Sequence, residues 1–472
     1  MNLTQTQIIS ISVNSAIFLI LCLGSFFLVN KIKLDEKGYK YLFWMYTLYW
    51  IPTMLVRDYR GTMQSAIDNT AILVTIVTMI YGLVGIFIRI FADVISYLFK
   101  YRKAFLYFSV IAQTILFIPI IIAPTTATNI LSAIGIGIGA SCIGTYELLF
   151  KEQYSNKKAF LTVSVLSIPP LLANFITAPI QSLMKTLATT TTKTDPYILR
   201  YMWLIALVIL VGSLIMLVFY KEKRMQTPLQ KLPKKVDVTS YEKQHRVQQY
   251  TFFIGLALIG SLIAFIKFSN SGSLGIQHLE NLAEISFNGD KTSVATYQGY
   301  LSVVFSLFQL IAGVLMGLVL IKKINTNYIF LIGSGSWIIY LIASSFISNP
   351  VGYFVIHSLN GFGYGILYNL VLAIVLKISI ENQIVTKMGI YQSILSVGIM
   401  CSSWFTKWMK TIIVDKIDGQ LIPLHQYMNN YLTQNMILLG IVVVITIAFV
   451  GLNYWGDSII KKATNKNVNI NA

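Results

Sequence analysis

Long apolar segments alternate with short polar loops along almost the whole chain. Each segment approaches or exceeds the roughly 20 helical residues that span a bilayer. Thirteen can be counted, near residues 8–29, 41–58, 67–92, 104–123, 128–150, 159–184, 199–220, 250–268, 297–321, 328–348, 350–377, 387–412 and 433–455. Within lipid only helices and closed barrels satisfy the backbone amides, and the short alternating segments of a barrel do not occur in this sequence. The pattern predicts an all-α, polytopic membrane protein.

One polar, strongly basic run interrupts this pattern near the middle of the chain, at residues 221–249. Six apolar segments precede it once the first is set aside, and six follow it, which favours two related halves. The predicted parts, in chain order, are an extra N-terminal transmembrane helix with a basic loop (1–40), a six-helix bundle (41–220), a basic cytoplasmic linker (221–249), a second six-helix bundle (250–460) and a cytoplasmic tail (461–472).

Composition agrees with a membrane protein and argues against a nucleic-acid partner. Of the 472 residues, 56% are hydrophobic and 11% are charged, whereas soluble proteins carry about 25% charged residues. A net charge of +18 would ordinarily suggest nucleic acid. Here the charges lie in short runs between apolar segments, as the positive-inside rule describes. The expected partner is therefore the lipid bilayer, and no nucleic acid is expected.

The distribution of Lys and Arg also predicts the topology. The loops assigned to one side together hold 25 of the 36 Lys and Arg residues. They are 30–40, 93–103, 151–158, 221–249, 322–327, 377–387 and the C-terminal tail. Two loops on the opposite side, 124–128 and 348–350, hold none. This asymmetry places the central loop and the C-terminus in the cytoplasm and the N-terminus outside, in a multi-pass protein of the cell (plasma) membrane.

A glycine pattern recurs at the matching place in each half. Residues 135–139 read GIGIG and residues 361–365 read GFGYG, 226 residues later. Glycine thins a helix and lets its neighbour approach closely. The recurrence therefore supports an internal repeat of about half the chain.

A basic loop follows the second helix of each predicted bundle. In the first bundle this region reads RIFADVISYLFKYRK and contains Asp93, Arg102 and Lys103; in the second it reads GVLMGLVLIKKINTN and contains no acid. Here the chain resembles the major facilitator superfamily, in which these loops carry a glycine, an acid and a basic cluster. The resemblance implies two six-helix bundles, and it implies that Asp93, Arg102 and Lys103 form a conformational latch.

Charged residues inside membrane segments are candidates for function because they are costly to bury there. Tyr46, Trp50, Thr53 and Arg57 follow one another at i, i+4, i+7 and i+11, so they share one helical face. Lys267 occupies the corresponding place in the second half, 210 residues after Arg57. These five residues are the predicted substrate-binding set.

Two interpretations of the paired cations are open. Both side chains can snorkel to the lipid headgroups, and Asp58 can neutralise Arg57 locally. Alternatively, Arg57 and Lys267 face a central cavity and bind an anion, since a guanidinium makes bidentate contacts to phosphate or carboxylate. The second arrangement resembles the organophosphate–phosphate antiporter branch, where cations on the first and seventh helices hold phosphate.

Other polar residues in the segments have simpler structural roles. Asp93 and Glu147 lie near cytoplasmic ends, so pairing with Lys100, Arg102 or Lys151 is expected. Interhelical hydrogen bonding is the expected role of a group of uncharged side chains on long helices, namely Asn174, Gln309, Asn369 and Gln392. A satisfied polar role is expected for His357.

The leading functional hypothesis is a secondary transporter that works by alternating access, moves a small anionic metabolite such as a phosphate ester and acts as a monomer. The alternatives are a transporter or exporter of a neutral solute or drug and, from another class, a membrane-embedded enzyme or lipid flippase. An enzyme is not expected, because neither a Walker motif nor an acid–base constellation occurs in the sequence. The three cysteines lie within apolar segments, and no metal site or cofactor is predicted.

Overall fold

The computed structural model describes residues 39–99, 101–154, 166, 168–188, 194–222, 240–270, 278, 291–347, 349–381, 386–411, 416–417, 420–421 and 424–470, with scattered residues between 12 and 27. Helices dominate this part of the chain. They are α1 Tyr39–Arg57, α2 Arg60–Ile67, α3 Ala71–Phe99, α4 Lys103–Ile122, α5 Thr126–Ala140, α6 Ile143–Tyr154, α7 Ile168–Ala188, α8 Pro196–Leu199, α9 Tyr201–Phe219, α10 Ser240–Asn270, α11 Lys291–Leu315, α12 Ile321–Lys323, α13 Thr326–Phe346, α14 Pro350–Glu381, α15 Thr386–Thr411 and α16 Leu424–Ile470. Two-residue strands, β1 Lys416–Ile417 and β2 Gln420–Leu421, form a small antiparallel hairpin. The all-helical fold class is confirmed.

Eight helical stretches in the described part of the chain are long and apolar enough to cross a membrane. They are Ile72–Ser96, Lys103–Ile122, Thr126–Phe150, Pro196–Phe219, Val247–Asn270, Thr326–Phe346, Pro350–Leu376 and Tyr431–Gly456. Four further predicted segments are also helical, as α1, α7, α11 and α15. The polar side chains of α1 and α7 explain their lower hydropathy, because Thr53, Asn174 and Gln181 are buried within the protein and do not face lipid.

Some predicted boundaries differ from the helices observed. The linker prediction covers 221–249, yet α10 begins at Ser240, so its last ten residues are helical; residues 223–239 lie outside the described part. The predicted tail begins at 461, but α16 continues to Ile470. Of the predicted first helix, the described residues are helical, and Leu19 and Phe27 are exposed.

Helices α1 to α9 pack mainly with one another, as do α10 to α16, and two helix pairs make most of the contact between the groups. The first pair is α3 with α15, and the second is α7 with α11. Between α7 and α11, the Asn174 amide donates to the carbonyl of Ser302 at 3.2 Å and to the hydroxyl of Ser306. Between α3 and α15, the Trp404 indole N–H lies 2.7 Å from the sulfur of Met79. The interhelical role expected of Asn174 is therefore observed, and it joins the two halves.

Three helical paths contain a local irregularity. The path of α1 breaks at Asp58 and Tyr59 before α2 begins, and the path of α5 breaks at Ser141 and Cys142 before α6 begins. At the second break, the Ser141 hydroxyl donates to the carbonyl of Gly137 at 2.7 Å, a bond that commonly bends helices. Residues Met316–Leu320 form a π-helical turn after α11. Such irregularities often occur at functional sites in membrane proteins.

The repeated glycines mark places where helices approach closely. In α14, β-carbons at positions 361 and 365 would overlap the backbone of α11, and one at 363 would meet α13. In α5, Gly135 and Gly139 face α4, whereas Gly137 faces α3. The outer glycines therefore face non-equivalent neighbours in the two halves. If the two halves were aligned with a spacing of 224 or 228 residues instead of 226, two glycines of the first half would align with glycines of the second half that face the equivalent helix.

Gly361→Ala should destabilise the fold. The added methyl group would overlap the carbonyl oxygen of Phe305, which is backbone and cannot rotate away. Overpacking of this kind costs about 1–3 kcal/mol, so the melting temperature of the purified protein in detergent should fall. Gly335→Ala is the matched control, because nothing lies within 4 Å of a β-carbon added at that position and alanine favours a helix by about 1 kcal/mol. Equal melting temperatures for the two variants would contradict the close-packing account.

Candidate functional site

The break between α1 and α2 determines the depth at which Arg57 lies. Ile67, where α2 ends and the loop to α3 begins, lies ten residues after Arg57. At 1.5 Å per helical residue this corresponds to about 15 Å. Arg57 therefore lies well inside the helical path and not at its end.

Arg57 is buried and forms an ion pair with its neighbour. Its Nε lies 2.7 Å from Oδ1 of Asp58, and Nη2 lies 3.2 Å from Oδ2. Only 9% of the Arg57 side chain is exposed, compared with 43% of the Asp58 side chain. The local neutralisation expected for Arg57 is thus observed, with the cation buried and the carboxylate accessible.

Arg60 brings a second guanidinium to the same place. It donates to the carbonyl of Arg57, which the helix break leaves without its usual partner, and to the carbonyl of Thr78 on α3 at 3.0 Å. Its Cζ lies 5.1 Å from the centre of the Tyr81 ring, also on α3. Arg60 therefore stabilises the broken turn while placing its charge close to Arg57.

The second half contributes Lys267, near the end of α10. Its Nζ lies 4.3 Å from the Phe268 ring centre, and the same ring lies 5.9 Å from Cζ of Arg57. The charges of Arg57 and Asp58 both act on Lys267, and Arg57, Lys267 and Arg60 all act on Asp58. The structure therefore brings Arg57 and Lys267 together across the boundary between the halves.

Arg57, Arg60, Lys267 and Asp58 form what we call the cationic cluster. Three positive charges and one negative charge leave an excess of positive charge in a largely buried place. Burying unbalanced charge is costly unless it is paired or hydrated. The arrangement is chemically suited to an anion that makes bidentate contacts to a guanidinium and a single contact to an ammonium.

The other predicted binding residues pack elsewhere within the first half. Tyr46 stacks on Tyr146 with ring centres 4.4 Å apart. Thr53 is buried and accepts a hydrogen bond from the Gln113 amide at 3.2 Å. Trp50 is buried beside Tyr46, and its indole N–H has no acceptor within the described residues. Their roles in substrate binding remain predictions.

Two of the three residues of the predicted latch contact the end of α9 in the first half. The backbone N–H groups of Arg102 and Lys103 donate to the Glu222 carboxylate at 2.9 and 2.8 Å. The Lys103 ammonium donates to the carbonyl of Tyr220 at 2.7 Å. Asp93 lies in α3, and its side chain is outside the described part of the structure. The latch also remains a prediction.

A buried hydrogen-bonded bridge joins the halves away from the cationic cluster. Arg89 on α3 donates through Nη1 to the backbone carbonyl of Gln392 on α15 at 2.7 Å and to its side-chain oxygen at 3.0 Å. The Gln392 amide then donates to the Glu147 carboxylate on α6 at 3.4 Å. We call these three residues the inter-half bridge, and two of them, Arg89 and Gln392, also line a small pocket between the halves. Glu147 thus contacts Gln392 in the opposite half, while the side chains of Lys100 and Lys151, two of its three expected partners, lie outside the described part of the structure.

The sequence indicated some of these residues and missed others. Arg60 lies three residues after Arg57, but the helix break that places it in the cluster has no clear sequence signal. Arg89 was not identified as a candidate, since its partner Gln392 lies 303 residues away. The aromatic rings around Lys267 were also missed, because aromatic residues make up 13% of the chain and most of them pack elsewhere.

Gln392→Leu should loosen contact between the halves at the bridge. A leucine side chain can neither accept from Arg89 nor donate to Glu147, so only the bond from Arg89 to the backbone carbonyl of residue 392 is kept. A buried group left unpaired costs about 1–3 kcal/mol. Spin labels at the exposed positions 99 and 323, at the corresponding end of each half, should report a longer or broader distance distribution by electron–electron resonance.

Gln113→Leu is the matched control for this experiment. It removes a buried glutamine whose hydrogen bond to Thr53 lies within the first half. Both variants should lose stability, but only Gln392→Leu should change the distance between the labels. An unchanged distance distribution in Gln392→Leu would rule out a role for the bridge in holding the halves together.

No family model matches this sequence, and neither does any curated protein. Solved structures do share its architecture. The nucleoside transporter NupG, in a point-mutant form, is 12% identical with a TM-score of 0.58, over 87% of this chain and 99% of that one. The human organic anion transporter MFSD10 is 10% identical with a TM-score of 0.59, over 86% and 97%. A bacterial homologue of the human lysosomal transporter Spinster, in an inward-facing and occupied conformation, is 14% identical with a TM-score of 0.53, over 90% and 99%. The chain has the fold of the major facilitator superfamily.

Proposed function

We propose that this chain is a secondary transporter that moves a small organic anion across the cell membrane by alternating access. The observation that carries the proposal is the cationic cluster, in which Arg57 of one half meets Lys267 of the other. A cargo held by both cations would contact both halves at once. Its binding would then be sensitive to their relative position, as alternating access requires.

Burial favours an anionic cargo over a neutral solute or drug. If Arg57 merely snorkelled to the headgroups, its guanidinium would be exposed at a helix end. Its side chain is instead 9% exposed and paired with Asp58, with Arg60 adding a second guanidinium close by. A neutral cargo would leave the excess positive charge of the cluster uncompensated.

Phosphate esters remain the best specific candidates for the cargo. A phosphate group matches the fork of a guanidinium and gains from the point charge of an ammonium. The structural neighbour MFSD10 is named an organic anion transporter and NupG a nucleoside transporter, so this fold carries both charged and uncharged cargo. The resemblance to the organophosphate–phosphate antiporter branch stays a prediction. So do the monomeric state, the outside N-terminus and the cytoplasmic central loop.

The class of membrane-embedded enzymes and flippases is less well supported. The charged side chains of the cationic cluster are not arranged as an acid–base pair around a reactive group, and Asp58 is paired with Arg57. In the described residues, no group of three or more His, Cys, Asp or Glu residues could hold a metal ion. The three structural neighbours described above are all named as transporters.

Replacing either cation of the inter-half pair should abolish most anion uptake. Arg57→Gln and Lys267→Gln each remove one charge while keeping a similar side-chain length. Removing a charge-assisted hydrogen bond to a ligand costs about 1.5–3 kcal/mol, so uptake of phosphate esters into proteoliposomes should fall roughly tenfold to a hundredfold.

Lys407→Gln is the matched control for the uptake experiment. Its ammonium lies over the ring of the exposed Trp404, so its loss removes a cation outside the cluster. Uptake by this variant should match the wild type. Wild-type uptake by Arg57→Gln and Lys267→Gln would refute the proposed anion site.

Asp58→Asn should strengthen anion binding and lower the stability of the protein when no anion is bound. The Asp58 carboxylate occupies the guanidinium of Arg57, so a cargo anion must compete with it. Asparagine removes this competitor and leaves the buried cations without their internal counter-charge. We expect the dissociation constant for phosphate esters to fall by about tenfold, or 1.4 kcal/mol.

Thermal unfolding tests the expected loss of stability in Asp58→Asn. Asp58→Asn should melt below the wild type without anion and regain stability when a phosphate ester is added, because a ligand stabilises the state that binds it. A variant that binds phosphate esters more weakly than the wild type would show that Asp58 contributes to the site and does not compete with the cargo.

A further inference from the structure

Three aromatic rings lie around the ammonium of the cationic cluster. The Nζ of Lys267 lies 4.3 Å from the ring centre of Phe268, 5.3 Å from that of Tyr364 and 5.7 Å from that of Phe305. These three rings, which we call the aromatic cage, come from α10, α14 and α11 of the second half. Ring faces attract cations because they carry negative charge density.

The first half contributes a further ring next to the cage. Tyr81 on α3 lies under the guanidinium of Arg60, and its ring centre is 6.1 Å from that of Phe268. The Phe268 ring in turn lies beside both Lys267 and Arg57. Ring surface and positive charge are therefore interleaved across the boundary between the halves.

More rings continue from the cage into the second half. Tyr364 stacks with Tyr368 at 5.4 Å and an interplanar angle of 22°. On another side it stacks with Trp337 at 6.3 Å and 21°. Phe305 lies 5.9 Å from Tyr364. The cage thus has aromatic rings packed behind it, which hold its own rings in place.

This environment is poorly suited to a compact inorganic or aliphatic anion alone. The same negative face that attracts Lys267 repels an anionic group, so the rings themselves do not bind the charge of the cargo. They offer flat apolar surface beside the cations, which another ring can cover by stacking. A small aliphatic anion would use the cations and leave the ring surface uncovered.

We propose that the cargo is an organic anion whose charged group is joined to a flat aromatic or heteroaromatic ring. The charged group contacts Arg57 and Lys267, and the ring stacks against the half-buried Phe268 and Phe305. The cationic atoms lie 4.3–5.9 Å from the cage ring centres, so charge and ring must be neighbours within one small molecule. The inference rests on the proposed anion transport and narrows its substrate class.

Matched ligand pairs test the inference on the full-length protein in nanodiscs. Phenyl phosphate and cyclohexyl phosphate carry the same charged group on six-membered rings of similar size, one flat and one puckered. Benzoate and cyclohexanecarboxylate form a second pair with a carboxylate. By isothermal titration, each aromatic member should bind about twofold to tenfold more tightly than its aliphatic partner, the range expected of one aromatic pair.

Variants of the cage locate the source of that preference. Phe305→Leu keeps an apolar side chain but removes the ring, so phenyl and cyclohexyl phosphate should bind equally while cyclohexyl phosphate binds as it does to wild type. Phe346→Leu is the matched control, because Phe346 is exposed on α13, and it should keep the wild-type preference. Phe268→Leu provides a second cage variant should Phe305→Leu not fold.

The possible results separate this inference from the proposed function. If the wild type bound both members of each pair equally while Arg57→Gln lost binding of all of them, the inference would be overturned and the proposed anion transport would be unaffected. Tight binding of phenyl phosphate that survives the cage variants unchanged would also overturn it. Failure of all four anions to bind, or binding that Arg57→Gln does not weaken, would overturn the proposed function itself.

Discussion

Excess positive charge buried between the two halves is the constraint on which the candidate site depends. Arg57 and Arg60 belong to one half and Lys267 to the other, while Asp58 is the acid that pairs with Arg57. Cations of this kind are costly within a membrane protein unless they are paired, hydrated or set against aromatic rings. The ion pair, the carbonyl groups that accept from Arg60 and the rings around Lys267 each reduce that cost. An arriving anion would reduce it further, and this links charge balance to binding.

Helices approach closely both within each half and across the boundary between the halves. Within the second half, a β-carbon added at Gly361 on α14 would overlap the backbone of α11, and across the boundary one added at Gly82 on α3 would overlap the backbone of Met400 on α15. Hydrogen bonds, such as those from Arg89 to Gln392, add to the contact between the halves. A few hydrogen bonds can be exchanged for water or for other partners, whereas close van der Waals packing is hard to separate. Movement of the two halves relative to one another would therefore have to separate the close contact between α3 and α15.

The sequence-based predictions succeeded where a feature belongs to a single segment and failed where it depends on contacts with distant helices. Arg57 and Lys267 were identified because a charge within an apolar segment stands out in the sequence, and the structure brings the two together. Tyr46 and Thr53 share a helical face with Arg57, yet they contact Tyr146 and Gln113 within the first half. Shared periodicity on one helix could not reveal that several different neighbours would cover that face. The glycine repeat was recognised from the sequence. The spacing of 226 residues came from aligning two similar motifs, whereas the helices that the glycines face give a different alignment of the two halves.

By itself, the sequence determined that the chain is helical, spans the membrane many times and divides into two sets of six segments. These features follow from the backbone's need for hydrogen bonds in lipid, which acts on each segment separately. Only the tertiary structure decided that Arg60 joins Arg57, that rings from three helices surround Lys267 and that Arg89 reaches Gln392. Those contacts depend on the break at Asp58, on the rotation of each helix and on the docking of residues as many as 303 positions apart. No local pattern encodes such a juxtaposition, because each side chain's partner is set by helices that are distant in the chain.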